Sequence, residues 1–167
     1  MGRKRDHLSP LPRYEFIVFG KPVSVWTGAD RNPEKSAKYS KWRDNVAAQI
    51  DQELREQSGD RGFEWILDPV CARLIWYSPK VDDPADPDLD NFSKPYLDAI
   101  KGRIIPDDRK VQVLKVVKVD VNSAELQDIP GVLEAKNSQG GQEFVVVVIE
   151  PMKQEDLDEF KREINNE

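Results

Sequence analysis

The stretch from Asp86 to Asp108 reads DPDLDNFSKPYLDAIKGRIIPDD and has an acidic group at each end. Between the two ends lies a short helical run that stops at Gly102, because glycine is favoured just after a helix. A helix of about ten residues spans only about 15 Å, and the loop after it can fold back. The pattern therefore predicts that Asp88, Asp90 and Asp108 converge on one point.

Converging carboxylates repel one another unless a cation lies between them, and oxygen ligands favour a hard divalent ion. A loop rich in Asp and Pro is also typical of plain turns, because Asp side chains bond their own backbone. A calcium-binding loop is excluded, since that motif requires glycine where Asn91 stands and glutamate where Leu97 stands. The metal-site and plain-turn interpretations both stay open at this point.

The combination of an acidic motif, a lysine, a helix and a paired acidic end is more specific than any one of these features. The residues are, in order, Asp88-Leu89-Asp90-Asn91, Lys94, Leu97-Asp98-Ala99-Ile100, Gly102 and Asp107-Asp108. Together they resemble the signature of the RusA family of Holliday junction resolvases. Weaker likeness extends from Tyr14 to Lys118.

The resemblance implies a small homodimeric endonuclease that cuts four-way DNA junctions in recombination and repair. It implies Mg²⁺ as the cofactor, with Mn²⁺ as a substitute. The metal ligands would be Asp88, Asp90 and Asp108, and Lys94 would be the essential lysine.

Lys94 is expected to contact the scissile phosphate, whereas its plain interpretation is a solvated lysine paired with Asp90 or Asp98. Asp107 is expected to support the site from behind the ligands or to cap the turn. Asn91 could do either, and the sequence does not decide between them.

Two other functions fit the same residues. One is a non-enzymatic α/β binding module, such as an adaptor or inhibitor whose Asp cluster contacts a basic partner. The other is a nuclease for flaps, single strands or other branched DNA. The run from Val81 to Asp86 adds weight to these alternatives, because its acidic residues follow Lys80 where family members often carry basic residues. These carboxylates are expected to repel phosphate.

The net charge of −6 is unevenly distributed along the 167 residues. The first 43 residues contain ten Lys or Arg and four Asp or Glu. Such asymmetry permits phosphate binding on one face of an acidic protein. The candidate DNA contacts are Lys35, Lys38, Lys41, Arg103, Arg109 and Lys110.

The residue inventory excludes several chemistries. The one histidine, His7, argues against Ser-His and Cys-His nucleophiles and against histidine-rich zinc sites. Cys71 is the one cysteine and is interpreted as a packing residue, which suits a reducing cytoplasm. No apolar run approaches the roughly 18 residues of a membrane span, so no membrane partner is expected.

Hydrophobic periodicity predicts one small α/β (α+β) domain with the order βαβαββα and a mixed sheet of about four strands. The expected strands are Tyr14 to Phe19, Val70 to Tyr77, Val111 to Val119 and Glu143 to Ile149. A first helix is expected from a cap at Ser40 to Ser58-Gly59, after a loop from Val23 to Tyr39. A second helix is expected from Phe92 to Lys101, with a buried stripe of Phe92, Tyr96 and Ala99 or Ile100.

The expected organisation is a basic, flexible arm over residues 1–13, a nuclease-like domain over 14–150 and an acidic amphipathic helix over 151–167. Residues 120–142 are longer than a strand connection needs, end in Gly140-Gly141, and are interpreted as an insertion. The final helix is marked by Leu157, Phe160 and Ile164. It is expected to pack on the domain or on a partner.

Overall fold

The computed structural model describes residues 12–23, 33–59, 63–123, 130–138 and 143–165. Its strands are β1 (Tyr14–Phe19), β2 (Val70–Ser78), β3 (Val111–Asp120) and β4 (Phe144–Pro151). They form one sheet in the order β1-β4-β2-β3. β4 is antiparallel to both of its neighbours, whereas β2 and β3 are parallel. The mixed four-stranded sheet confirms the predicted fold class.

Within the described residues, five α-helices connect or follow these strands. They are α1 (Pro33–Ser58), α2 (Leu89–Phe92), α3 (Lys94–Ile100), α4 (Pro130–Ser138) and α5 (Gln154–Asn165). A single 3₁₀ turn, Asp108–Lys110, precedes β3.

The predicted element order needs two corrections. The segment predicted as an insertion contains α4, which begins at Pro130, a residue well suited to the first turn of a helix. The helix is short and has Gly131 in its first turn, which lowers its helix propensity and weakens the sequence signal. The helix predicted from Phe92 to Lys101 is also two helices, α2 and α3, separated at Ser93. The predicted arm and the Gly140-Gly141 turn lie outside the described residues, except for residues 12 and 13.

The prediction of a loop from Val23 to Tyr39 is wrong for residues 33–39. Helix α1 begins at Pro33, so Ser40 lies inside the helix rather than at its cap. The side chains from 33 to 38 are all exposed, which leaves no apolar stripe to mark the first turns. The predicted core positions Val46, Ile50 and Leu54 are buried as expected.

The sheet has a distinct core on each face. The main core lies under α1 and α3, and alternating residues of β1 and β2 point into it, among them Phe16, Val18, Leu74 and Trp76. The other face packs a smaller cluster that includes Tyr77 and Phe144. Strand β4 is buried along six consecutive positions, as its apolar run predicted, because it lies between two strands with packing on both faces.

The C-terminal helix α5 is tied to the sheet by charge. Arg73 of β2 forms ion pairs with Asp156 at 3.1 Å and with Glu150. Two of the predicted stripe residues are nevertheless exposed, Phe160 by 60% and Ile164 by 58%. Among the helices that the structure describes, no helix is long and apolar enough to cross a membrane.

Replacing Gly20 with alanine is expected to destabilise the fold by about 2–4 kcal/mol. Gly20 has a φ of +117°, and an added Cβ would lie 2.7 Å from Cζ3 of Trp42. Gly102→Ala is the matched control, since Gly102 has a φ of +74° but open space around its Cα. It should cost only about 1–2 kcal/mol. Urea unfolding would test both, and equal losses would show that the contact with Trp42 has no energetic weight.

Candidate active site

The acidic motif lies on the crossover between the parallel strands β2 and β3. A parallel pair requires such a crossover, and here it contains α2 and α3. Asp88 is the N-cap residue of α2 in an extended conformation, and its carbonyl accepts the backbone N–H groups of Asn91 and Phe92. Asp90 lies in the first turn of the same helix. Both residues therefore lie on one turn, at the first helix of the crossover.

The break between α2 and α3 explains how proline is accommodated in this segment. Pro95 lies in the first turn of α3, where its missing N–H costs nothing. The hydroxyl of Ser93 donates to the carbonyl of Asp90 at 3.3 Å. The break therefore places Asp90 in α2 and Lys94 in α3. Residues 88–94, which include both, are called the corner below.

Aromatic stacking holds this corner on the sheet. The ring of Phe92 stacks on that of Trp76 in β2, with centroids 5.1 Å apart, and Tyr96 lies 5.1 Å from Phe92 at a tilt. All three side chains are fully buried. The exposed residues near Phe92, such as Asp90, are therefore attached to a segment that is packed firmly on the sheet.

Asp88 and Asp90 point their carboxylates into solvent. Both residues are exposed, and within the described residues neither side chain has a hydrogen bond or an ion pair. Asp88 makes no side-chain cap bond to α2, although it occupies the N-cap position. A residue present only to shape the turn would be expected to make that bond.

Other aspartates of this chain do act as turn formers. Asp83 accepts the N–H of Ala85 at 3.0 Å, and Asp107 accepts that of Arg109 at 2.8 Å. Asp107 also pairs with the guanidinium of Arg109 at 2.9 Å, and these hydrogen bonds hold the pKa of Asp107 well below its usual range. The capping role predicted as one option for Asp107 is therefore the one that its contacts show.

Lys94 is exposed on the first turn of α3. It pairs with neither Asp90 nor Asp98, and none of the described residues is within hydrogen-bond or ion-pair distance of its ammonium group. The plain interpretation of Lys94 as half of a helix ion pair therefore has no support in its contacts.

Asp108 lies on the 3₁₀ turn before β3 and is exposed, with Nζ of Lys101 at 3.9 Å. Among the described residues, which include Asp88, Asp90 and Asp108, no three acidic, His or Cys side chains are close enough to share a metal ion. The structure thus places Asp88 and Asp90 at the same helix start but does not assemble the predicted three-carboxylate group among the described residues. Metal binding by the three residues stays a prediction.

The acidic run before the motif is largely neutralised. Asp83 pairs with Lys21 at 3.4 Å and with Lys80 at 4.0 Å. Asp86 pairs with Lys21 at 2.8 Å and also with Lys118. Lys21 and Lys118 could not be recognised as partners of this run from the sequence, since both are distant from it along the chain. The repulsion of phosphate expected from this run is therefore weaker than the sequence alone indicates.

The candidate DNA contacts fall into two groups. Arg103 is engaged by the carboxylate of Asp51 at 2.6 and 3.1 Å and donates to the carbonyl of Ala99, so it ties α3 to α1. Arg109 is held by Asp107. The second group lies on the exposed surface of the first turns of α1 and consists of Lys35, Lys38 and Lys41. Lys110 belongs to neither group and is half-buried just before β3.

Comparison with family models identifies the family of this chain. A family model described as endodeoxyribonuclease RusA matches residues 25–127, which is more than half of the chain. The matched region includes the crossover and both of its acidic ends. No curated protein matches the chain significantly. The chain belongs to the RusA family of endodeoxyribonucleases.

Proposed function

We propose that the protein is a Mg²⁺-dependent endonuclease that resolves four-way DNA junctions by paired phosphodiester hydrolysis. The observation that carries the proposal is the pair of unpartnered carboxylates, Asp88 and Asp90, on a corner fixed by buried aromatic rings. Neighbouring acidic residues such as Asp86 and Asp107 are neutralised or used in turns. Family membership supplies the activity class.

The donor chemistry of this corner fits a hard divalent ion. Asp88 and Asp90 offer exposed oxygen ligands, and Asp108 adds a third exposed carboxylate. Mg²⁺ keeps several waters and needs only a few protein carboxylates, and Mn²⁺ accepts the same donors. When bound, the ion supplies a water of lowered pKa and positive charge at the phosphate.

The remaining groups act through their own charge and hydrogen bonds. The exposed ammonium of Lys94 contacts the scissile phosphate as a point charge and stabilises the negative charge that develops there. Asp107 holds the turn that carries Asp108, because it caps the backbone of that turn through Arg109. The backbone N–H of Asn91 donates to the carbonyl of Asp88, and its side chain is left with the two roles that the sequence allows, support of the ligands or shaping of the turn.

The junction is bound in part by the lysines of α1. This helix packs along α3, and Tyr39 of α1 lies near Asp98 of α3. Burial raises the pKa of the Tyr39 hydroxyl, and the charge of Asp98 raises it further. Lys38 is the neighbour of Tyr39 in α1, and Lys35 lies one turn before it.

Junction affinity is expected to fall steeply with salt despite the acidic composition. Each neutralised phosphate contributes about −0.9 to the slope of log K against log salt. Replacing Lys35, Lys38 and Lys41 with glutamine should make that slope shallower by up to about 2.7. The control changes Lys153, Lys161 and Arg162 to glutamine near or in α5, and it should leave the slope unchanged. Equal slopes for all three proteins would place the DNA on another face.

The protein is expected to be a homodimer, because symmetric cuts in two strands need two identical sites related by a two-fold axis. Light scattering at micromolar concentration should return about twice the chain mass of 19.2 kDa. A particle that stays at the single-chain mass with and without junction DNA would contradict this expectation.

A comparison of substrates tests the proposed specificity. Four-way junction, 5′ flap, linear duplex and single strand are compared at equal concentration with Mg²⁺. Preference for the junction is expected. Faster cutting of flap or single strand would support a nuclease for other branched DNA, and no cutting of any substrate would support a binding module.

The proposed nuclease domain spans residues 14–150. The proposed location is the cytoplasm, because the buried thiol of Cys71 is free and a reducing compartment keeps thiols reduced.

A further inference from the structure

A buried ion cluster lies immediately before the acidic motif. Asp86 has a side chain only 4% exposed, and two lysines from distant parts of the chain reach its carboxylate. Lys21, just after β1, places Nζ 2.8 Å from one oxygen, and Lys118 of β3 pairs with the other. A buried carboxylate left without such partners is strongly unfavourable. The cluster therefore fixes where Asp86 sits relative to the sheet.

Lys118 is the centre of this cluster. Besides Asp86, its ammonium donates to the carbonyl of Val81 at 3.0 Å and lies 4.3 Å from the ring centroid of Trp76. Trp76 is the residue on which Phe92 stacks. Lys118 thus contacts the loop near its start and near its end, and shares Trp76 with the helix that follows. Its side chain is only 12% exposed, which excludes a role as a solvent-facing phosphate contact.

The position of Asp86 is transmitted to Asp88 through a stiff link. Pro87 joins the two residues and is buried. Proline fixes its own φ and restricts the residue before it to extended conformations, so the Asp86-Pro87-Asp88 segment has little freedom. Asp88 in turn begins α2 through its carbonyl hydrogen bonds.

We propose that Lys118, acting with Lys21 on Asp86, is a positioning residue that orients Asp88 and Asp90 for metal binding. This inference rests on the proposed function, since it concerns the same metal ligands. Lys118 touches neither metal nor DNA. It keeps the loop in one conformation before the ion binds. Binding by the two carboxylates then does not have to include the entropic cost of ordering the loop.

The test measures Mn²⁺ binding by the paramagnetic resonance signal of the free ion, with no DNA present. Lys118→Met removes the charge and keeps most of the length of the side chain. It is expected to weaken Mn²⁺ binding about 10- to 100-fold, the usual effect of losing groups that orient metal ligands. Lys118→Arg keeps the charge and should restore part of the affinity. Hydrogen exchange of amides 81–92 should accelerate in Lys118→Met.

Lys115→Met is the matched control. Lys115 lies on the same strand and forms an ion pair with Glu159 at 3.1 Å, away from the motif. It should bind Mn²⁺ like the wild type, which separates positioning from the general loss of an ion pair. If Lys118→Met does not fold, Lys21→Met is used instead. Lys21 is 47% exposed, and its replacement removes only one of the two lysine partners of Asp86. A smaller weakening is expected there.

Two outcomes would overturn the proposal in distinguishable ways. If the wild type binds Mn²⁺, Asp90→Asn does not, and the folded Lys118 or Lys21 variant binds normally, the positioning role fails and the proposed metal site stands. If the wild type does not bind Mn²⁺, or Asp90→Asn binds as tightly as the wild type, the metal site itself fails and the positioning role fails with it.

Discussion

Asp90→Asn is expected to reduce junction cleavage by several orders of magnitude while the protein stays folded. Asparagine keeps the volume and the ability to cap or turn, so α2 should form normally. The substitution removes one of the two unpaired carboxylates on the corner, and with it charge needed to bind Mg²⁺. Single-turnover cleavage measures the loss. Junction affinity in EDTA should hold or rise, because one carboxylate fewer faces the phosphates.

Asp82→Asn is the matched control for this substitution. Asp82 is also exposed, lies in the acidic run before the motif, and has no partner within the described part of the chain. Its cleavage rate should stay within a few-fold of the wild type. A folded Asp90→Asn protein that cuts at the rate of Asp82→Asn would show that Asp90 only shapes the loop.

Lys94→Ala is expected to lower the cleavage rate by about 10²- to 10³-fold, the usual effect of removing one group that stabilises developing charge. Because Lys94 has no ion pair to lose among the described residues, the fold and its stability should change little. Binding of Mn²⁺ should not weaken, since a positive charge near the metal site is removed. The loss should therefore appear in the chemical step.

The control for Lys94 is Lys153→Ala, which removes an exposed lysine beyond β4. It should cleave like the wild type. Activity of Lys94→Ala within a few-fold of this control would assign Lys94 to the solvated surface. A Lys94→Ala protein that cleaves normally once the junction is saturating would instead make Lys94 a binding residue.

The four strands were predictable from the sequence because their signals are local. The alternation of Tyr14, Phe16 and Val18 against Ile17 and Phe19 matches two cores on opposite faces of the sheet. Pro95 stands inside the run predicted as one helix, and the break at Ser93 places it in the first turn of α3, where proline is tolerated. Such features depend on neighbours along the chain, which a sequence displays directly.

What could not be predicted depends on contacts between distant residues. The run before the motif reads as a cluster of repelling carboxylates, yet Asp86 is neutralised by Lys118, 32 residues away, and by Lys21 in the turn after β1. In the same way, Arg103 reads as a free cation near the motif and is held by Asp51, 52 residues away. Local sequence gives the charge of a residue but not its partner.

The most direct measurement is cleavage of a four-way junction with each strand labelled in turn, with Mg²⁺ and with EDTA. The proposed function predicts paired nicks at symmetric positions in two opposing strands with Mg²⁺, an intact junction in EDTA, and an intact linear duplex of the same arm sequence. A junction left uncut with both Mg²⁺ and Mn²⁺, or cut equally well in EDTA, would contradict it.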